Sequence, residues 1–178
     1  MTRATDLSVI VKAVDFAAFK HRNQRRKDAD ASPYINHPIA LANLLCNEAG
    51  IADPATLCAA LLHDTIEDTE TTADELAREF GKAIASVVME VTDDKGLPKA
   101  ERKRLQIVHA RSASRRARLV KLADKTCNLR DITANPPATW TLRRKRKYFD
   151  WAKKVVNGLR GTHRRLERLF DEVYARRP

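Results

Sequence analysis

Apolar residues recur along this chain at helical spacing, and no stretch alternates as a strand would. Over residues 6–21, Val9, Val11, Ala13, Val14, Phe16, Ala17 and Phe19 make a broad apolar stripe opposite polar positions, which predicts an amphipathic helix. The polar segment 22–32 interrupts the pattern and reads as a loop. Pro38 is suited to the first position of the next helix, which runs to about Glu48 and ends near Gly50. Asp53-Pro54 starts a third helix that reaches His63, with a capping carboxylate followed by a proline at the first helical position. Thr71 or Thr72 caps a short helix that closes at Phe80-Gly81, and another covers 82–91. After a loop over 92–98, helices are predicted over 99–110 and 115–132. Asn135-Pro136-Pro137 breaks the chain before two more, over 138–159 and 162–175. No internal repeat or low-complexity linker divides the sequence, so the expectation is one all-α domain, a helical bundle spanning residues 1–178.

Composition supports that reading. At 178 residues a sizeable core is within reach, and only 5 Gly and 7 Pro leave long helices uninterrupted. Cys46, Cys58 and Cys127 lack CxxC spacing. Cys46 and Cys58 stand among apolar residues, which predicts buried, reduced thiols and with them a cytoplasmic location. No apolar run approaches the roughly 18–20 residues of a membrane span, and the N-terminus lacks a signal-peptide pattern.

Charge narrows the partners. With 34 Lys and Arg against 23 Asp and Glu the net charge is +11, concentrated at 102–104, 111–118 and 143–147 and in the C-terminal helix. Such a field draws polyanions: nucleic acid, acidic lipid or a highly phosphorylated small molecule.

The stretch AALLHDTIEDT carries the chemistry. An apolar run, 58–62, leads directly into His63-Asp64, so this pair is expected at the inner end of a buried helix. An unpaired buried carboxylate is costly, and a cation is a common way to offset that cost. Glu67 and Asp68 follow about one turn on, within reach of a water beside such a cation. Taken alone, the segment has a second, less favoured reading, a helix C-terminus followed by a solvated acidic loop. His37 opens the second helix. In KLADKTCNLRD, Lys121, Asp124 and Asn128 share one side of a helix bordering an apolar face, as a pocket wall or a surface salt-bridge row would. Two imidazoles and two carboxylates suit Mn²⁺, Fe²⁺ or Zn²⁺ better than Ca²⁺.

The order His37, His63-Asp64, Asp124 resembles the ligand order of the HD phosphohydrolase superfamily. PYINHP (33–38), AALLHDTIEDT (59–69), VTDDK (91–95) and KLADKTCNLRD (121–131) together resemble the hydrolase domain of RelA/SpoT homologues. Over about residues 9–170 the chain is most similar to the stand-alone small alarmone hydrolases of the metazoan type. The resemblance implies Mn²⁺ held by His37, His63, Asp64 and Asp124, and removal of the 3′-diphosphate of ppGpp or pppGpp as pyrophosphate. It further implies a catalytic pair, Glu67 and Asp68, and substrate contacts from Arg26, Lys27, Lys99, Asn128, Arg144 and Tyr148. Tyr34 is expected to support the base or to pack in the core. Thr126-Cys127 stands where many relatives carry an aromatic residue or His, and is expected to alter the pocket wall. The partner implied is a small nucleotide, with no membrane, nucleic acid disfavoured, and a monomer or weak homo-oligomer. Other readings are a phosphohydrolase for adenosine alarmones or for the 2′-phosphate of NADPH, and, from another class, a basic nucleic-acid-binding module.

Overall fold

The computed structural model describes residues 4–178, with side chains from Asp6 onward. Among these residues there are helices and no strand, apart from an isolated antiparallel bridge between Arg25 and Pro33. The helices are α1 (Ala4–Lys20), α2 (Asn36–Asn43), α3 (Pro54–Leu62), α4 (Thr65–Asp68), α5 (Ala73–Phe80) and α6 (Lys82–Val91). They continue as α7 (Lys99–His109), α8 (Arg115–Ala134), α9 (Leu142–Leu159) and α10 (Arg164–Tyr174), and a π-helical turn, Leu44–Glu48, prolongs α2.

Two helices form the centre. Every residue of α3 from Thr56 to Leu62 is buried, as an all-round apolar helix must be, and it packs against α1, α2, α6 and α8. The other is α8, which meets α2, α3, α6, α9 and α10. Local signals set the helix ends. Asp53 accepts from the Thr56 N–H (3.0 Å), Thr72 from Glu75 (3.1 Å) and Ser114 from Ala117 (3.3 Å). Gly81 stops α5 with φ +84°, a conformation that strains any side-chain-bearing residue.

Several expectations are corrected. Pro38 is the third residue of α2, not the first; a first-turn N–H has no intrahelical acceptor, so proline is tolerated there too. Residues 138–140 form a turn, and α9 begins at Leu142 because the Thr141 hydroxyl caps Arg144. In α1, Ala13 and Ala17 make the buried seam, whereas Val11 and Phe19 are 58% and 59% exposed: α3 covers a stripe narrower than the apolar one. Cys46 is exposed on the π turn, while Cys58 and Cys127 are buried. Part of the basic stretch 111–118 is structural: Arg116 pairs with Asp53 (2.8 Å), and Arg118 donates to the Leu159 and Arg160 carbonyls that end α9.

Gly158 explains how α9 fits. A Cβ there would lie 2.7 Å from the Cβ of Ala110, just after α7, so glycine permits the close approach. Gly158→Ala gains about 1 kcal/mol of helix propensity but overpacks a buried contact at a cost of about 1–3 kcal/mol. The expected net result is a melting temperature lower by a few degrees, read by calorimetry; an unchanged or raised value would show that the helices separate freely.

Candidate metal centre and nucleotide cleft

The ends of α3 and α2 and the middle of α8 meet at one point. His37, His63 and Asp124 each offer a donor atom, and these atoms all lie within 4.8 Å of one another. His37 Nε2 is 3.3 Å from Asp124 Oδ1, and His63 Nε2 is 3.0 Å from Asp64 Oδ2. Both imidazoles are buried, with ring centroids 5.3 Å apart.

The hydrogen-bonding pattern prepares these groups for a cation. His63 Nδ1 donates to the Ala60 carbonyl (2.8 Å), so the neutral form of the ring carries its lone pair on Nε2. His63 Nε2 and His37 Nδ1 are buried without a properly aimed hydrogen-bond partner. The 3.0 Å approach of His63 Nε2 to Asp64 Oδ2 becomes an ion pair only when the imidazole is protonated. Asp64 also accepts the Tyr34 hydroxyl. Burial alone would raise the Asp64 and Asp124 carboxyls, yet His63 and His37 hold Asp64, and the Lys125 ammonium with the same imidazoles holds Asp124, below the usual carboxylate range. Burial opposes a charge on His63, but the Asp64 carboxylate prevails and pushes its pKa up to about 9. Positive charge is what this pocket favours, and its donor set of imidazole nitrogen and carboxylate oxygen fits a divalent ion.

The acidic pair lies on α4, immediately beyond. Burial, reinforced by Asp64 and Asp93, pushes Glu67 up to about 7. Its Oε2 accepts from the Asp93 N–H and its Oε1 from Arg102, both at 3.3 Å. Asp68 is paired with Lys95. The α4 turn is braced from α1's end: Gln24 Nε2 donates to the Asp68 carbonyl (2.5 Å), and buried His21 Nδ1 donates to Gln24 Oε1 (2.7 Å). The donor sense follows because Gln24 has given its N–H to Asp68.

Two adjoining cavities, with several wall residues in common, surround this centre. One, about 250 Å³, contains the metal-fit group, Glu67, Asp68 and Lys99. A larger one, about 620 Å³, is lined by Arg26, Lys27, Asp131 and Trp140. Tyr34, His37, Asp68, Asn128 and Tyr148 border both. Arg26 pairs with Asp131, and its guanidinium lies 5.8 Å over the Tyr34 ring. Asn128 donates to Asp124, which fixes that carboxylate. Arg144 lines neither cavity; it is exposed and stacks on Trp140 at 4.5 Å. Thr126 and Cys127 are buried and line neither cavity, so the expected change in the pocket wall is not present.

Residues not anticipated from sequence complete the surroundings. Lys125 is buried against Asp124 (2.7 Å) with Trp151 beneath it (4.6 Å). Arg102, Lys103 and Gln106 of α7 also face the smaller cavity. Lys125 carried one available signal, its place beside a candidate ligand; the α7 residues sit in a basic run that looks like any solvated helix face.

Comparison with known proteins is consistent with this geometry. The HD domain family matches residues 13–149. Guanosine-3′,5′-bis(diphosphate) 3′-pyrophosphohydrolase MESH1 of Xenopus tropicalis is 53% identical over 171 residues, covering 96% of each protein. The Homo sapiens protein of the same name is 53% identical over 173 residues, covering 97% of each. A solved structure of a metazoan orthologue of SpoT, described as hydrolysing ppGpp with a role in starvation responses, superposes with a TM-score of 0.92. It is 50% identical, with 95% of each chain covered. On the evidence of that family match and of relatives alike along nearly their whole length, this chain belongs to the HD-domain family, in the group of the metazoan-type guanosine-bis(diphosphate) pyrophosphohydrolases.

Proposed function

We propose that this protein hydrolyses the 3′-diphosphate of ppGpp and pppGpp, releasing pyrophosphate and GDP or GTP and so lowering the alarmone of the stringent response. The observation that carries the reading is the buried group of His37, His63 and Asp124 with Glu67 beside it in one cavity. Asp64 joins these three as the fourth ligand of a divalent ion, Mn²⁺ in our reading, with Fe²⁺ or Zn²⁺ as substitutes. An ion held there supplies Lewis-acid chemistry, drawing charge from the phosphoryl oxygens and making an attacking water more acidic.

The chain's own groups do the rest. Glu67, with its raised carboxyl, orients the water and accepts its proton near neutral pH. Asp68, paired with Lys95, handles the proton at the leaving oxygen. The larger cavity takes the nucleoside between Arg26, Tyr34 and Tyr148, with Lys27 and Asn128 at its phosphate end. Lys99 and Arg144 add charge at the mouth, and the basic field steers a ligand with four or five phosphates inward. No helix is long and apolar enough to cross a membrane. Action on a free nucleotide in the cytoplasm, as a monomer or weak oligomer, follows from this reading.

Incubating the Mn²⁺-loaded protein with ppGpp, pppGpp, ppApp and NADPH, and identifying products by mass, tests it. Pyrophosphate release from a guanosine alarmone is expected, and chelation should abolish it. Turnover of only ppApp or NADPH would transfer the activity to those substrates. Nucleic-acid binding that survives chelation, without turnover of any nucleotide, would replace the hydrolase by a binding module.

A further inference from the structure

The cations of the smaller cavity are not equivalent. Lys125 is paired with Asp124 at 2.7 Å, and Arg102 donates to Glu67 at 3.3 Å. Lys121 donates to the Val91 carbonyl at 3.4 Å. Lys99 has no carboxylate partner among the described residues either but is exposed, whereas Lys103 is half-buried and its ammonium rests on two ring faces, 4.4 Å from the Trp151 centroid and 5.3 Å from that of Tyr148. No carboxylate among the described residues forms an ion pair with it. The Trp151 indole N–H donates to the Lys103 carbonyl at 3.0 Å, which locks the ring in place beneath that charge.

The side chain is half-buried, and the charges bearing most on it are positive: Lys99, Lys125 and Arg144. Burial first, then these neighbours, push its pKa down to about 8. Aromatic faces partly replace water around an ammonium, but they carry no net charge to offset three nearby cations. Folding has gathered positive charge at a cavity wall and left this member without a counter-ion. A polyphosphate is the chemical class that completes such an arrangement.

We infer that Lys103, held between Trp151 and Tyr148, forms an anion subsite that binds a phosphoryl group of the substrate. This deepens the hydrolase reading and rests on it. Lys103 is a binding residue here, distinct from the metal-fit group and from Glu67. The phosphoryl group comes either from the departing 3′-diphosphate or from the 5′-diphosphate.

Lys103→Met keeps the stem on the rings and removes the charge. One charge-assisted contact in a partly buried site corresponds to about a 10- to 100-fold change in affinity. The KM for ppGpp of the Mn²⁺-loaded variant should therefore rise at least ~10-fold with kcat little changed, as when a uniform binding contact is lost. Lys103→Arg should restore most of the loss.

Inorganic pyrophosphate and GDP, tested as inhibitors, separate the two sources: weakened inhibition by pyrophosphate assigns the leaving diphosphate, and by GDP the 5′ end. Unchanged KM with unchanged inhibition by both would overturn the subsite, and so would a fall in kcat at constant KM. If Lys103→Met melts early, Lys103→Gln in the same assays decides. Should the wild type hydrolyse no alarmone, the activity fails separately from the subsite. Calorimetric titration with pyrophosphate then judges the subsite: binding ~10-fold weaker in Lys103→Met sustains it, and equal binding removes it.

Discussion

Asp124→Asn should bind no stoichiometric divalent ion and should hydrolyse ppGpp at least about 10³-fold more slowly than the wild type. The size of the effect follows from how many groups converge on this one carboxylate. It faces His37 at 3.3 Å, accepts from Asn128 and is the counter-charge of buried Lys125 at 2.7 Å. Asparagine preserves shape and the contact with Asn128 but removes the negative charge that a cation needs. Both replacements take the counter-charge from the buried Lys125 ammonium, a loss worth about 3–5 kcal/mol when nothing replaces it, and alanine is the worse probe of chemistry because it also leaves the Asn128 amide without its acceptor and opens a void. Asp124→Ala should accordingly lose stability as well as activity, and Asp124→Ala with Lys125→Met should recover stability alone. Elemental analysis of the purified proteins, rates and melting temperatures read these effects separately. Full activity with a normal metal content in Asp124→Asn would remove Asp124 from the ligand set.

Glu67→Gln should retain its metal and its KM while kcat falls by about 10²- to 10⁴-fold, the usual worth of a positioned general base. Glutamine keeps the size of the side chain and one acceptor oxygen, enough for either Arg102 or the Asp93 N–H but not both, while removing the group that takes the proton. A pH profile adds a second readout. Burial and the nearby acidic groups set the Glu67 carboxyl at about 7, and a cation among the ligands lowers it. A base must be ionised to act, so the wild-type rate should decline on the acid side of a midpoint at or below that value. In Glu67→Gln this acid limb should be absent. A variant that keeps the limb, or loses metal, would assign the base elsewhere, with Asp68 the next candidate.

The unequal environments of the acidic pair are a tertiary product. Sequence places Glu67 and Asp68 side by side with equal claim to either role. In the fold Asp68 is matched with Lys95, whereas Glu67 is more deeply buried and faces two further acids, Asp64 and Asp93. Neither Lys95 nor Asp93 announces this in a one-dimensional reading, because each reaches the pair across a loop closure.

What the amino-acid sequence determined by itself was local or short in range. Capping at Asp53 and at Thr71 or Thr72, the glycine stop at 81, the apolar run 58–62 and helical periodicity over 115–132 predicted α3, α5, α6 and α8 to within about two residues, the usual boundary scatter. The same run placed His63-Asp64 at the inner end of a buried helix. These features depend on backbone hydrogen bonding within a turn or two, which neighbouring residues decide.

Tertiary structure alone decided which apolar faces are covered and which cations find partners. Cys46, Val11 and Phe19 look like core residues in sequence and are exposed, because a helix buries only the width that its neighbour covers. Lys125 and Lys103 look like ordinary solvated lysines; one becomes the buried partner of Asp124, the other rests on two rings with no carboxylate. Burial and charge pairing depend on distances between segments far apart in the chain, and those distances exist only once the helices have packed.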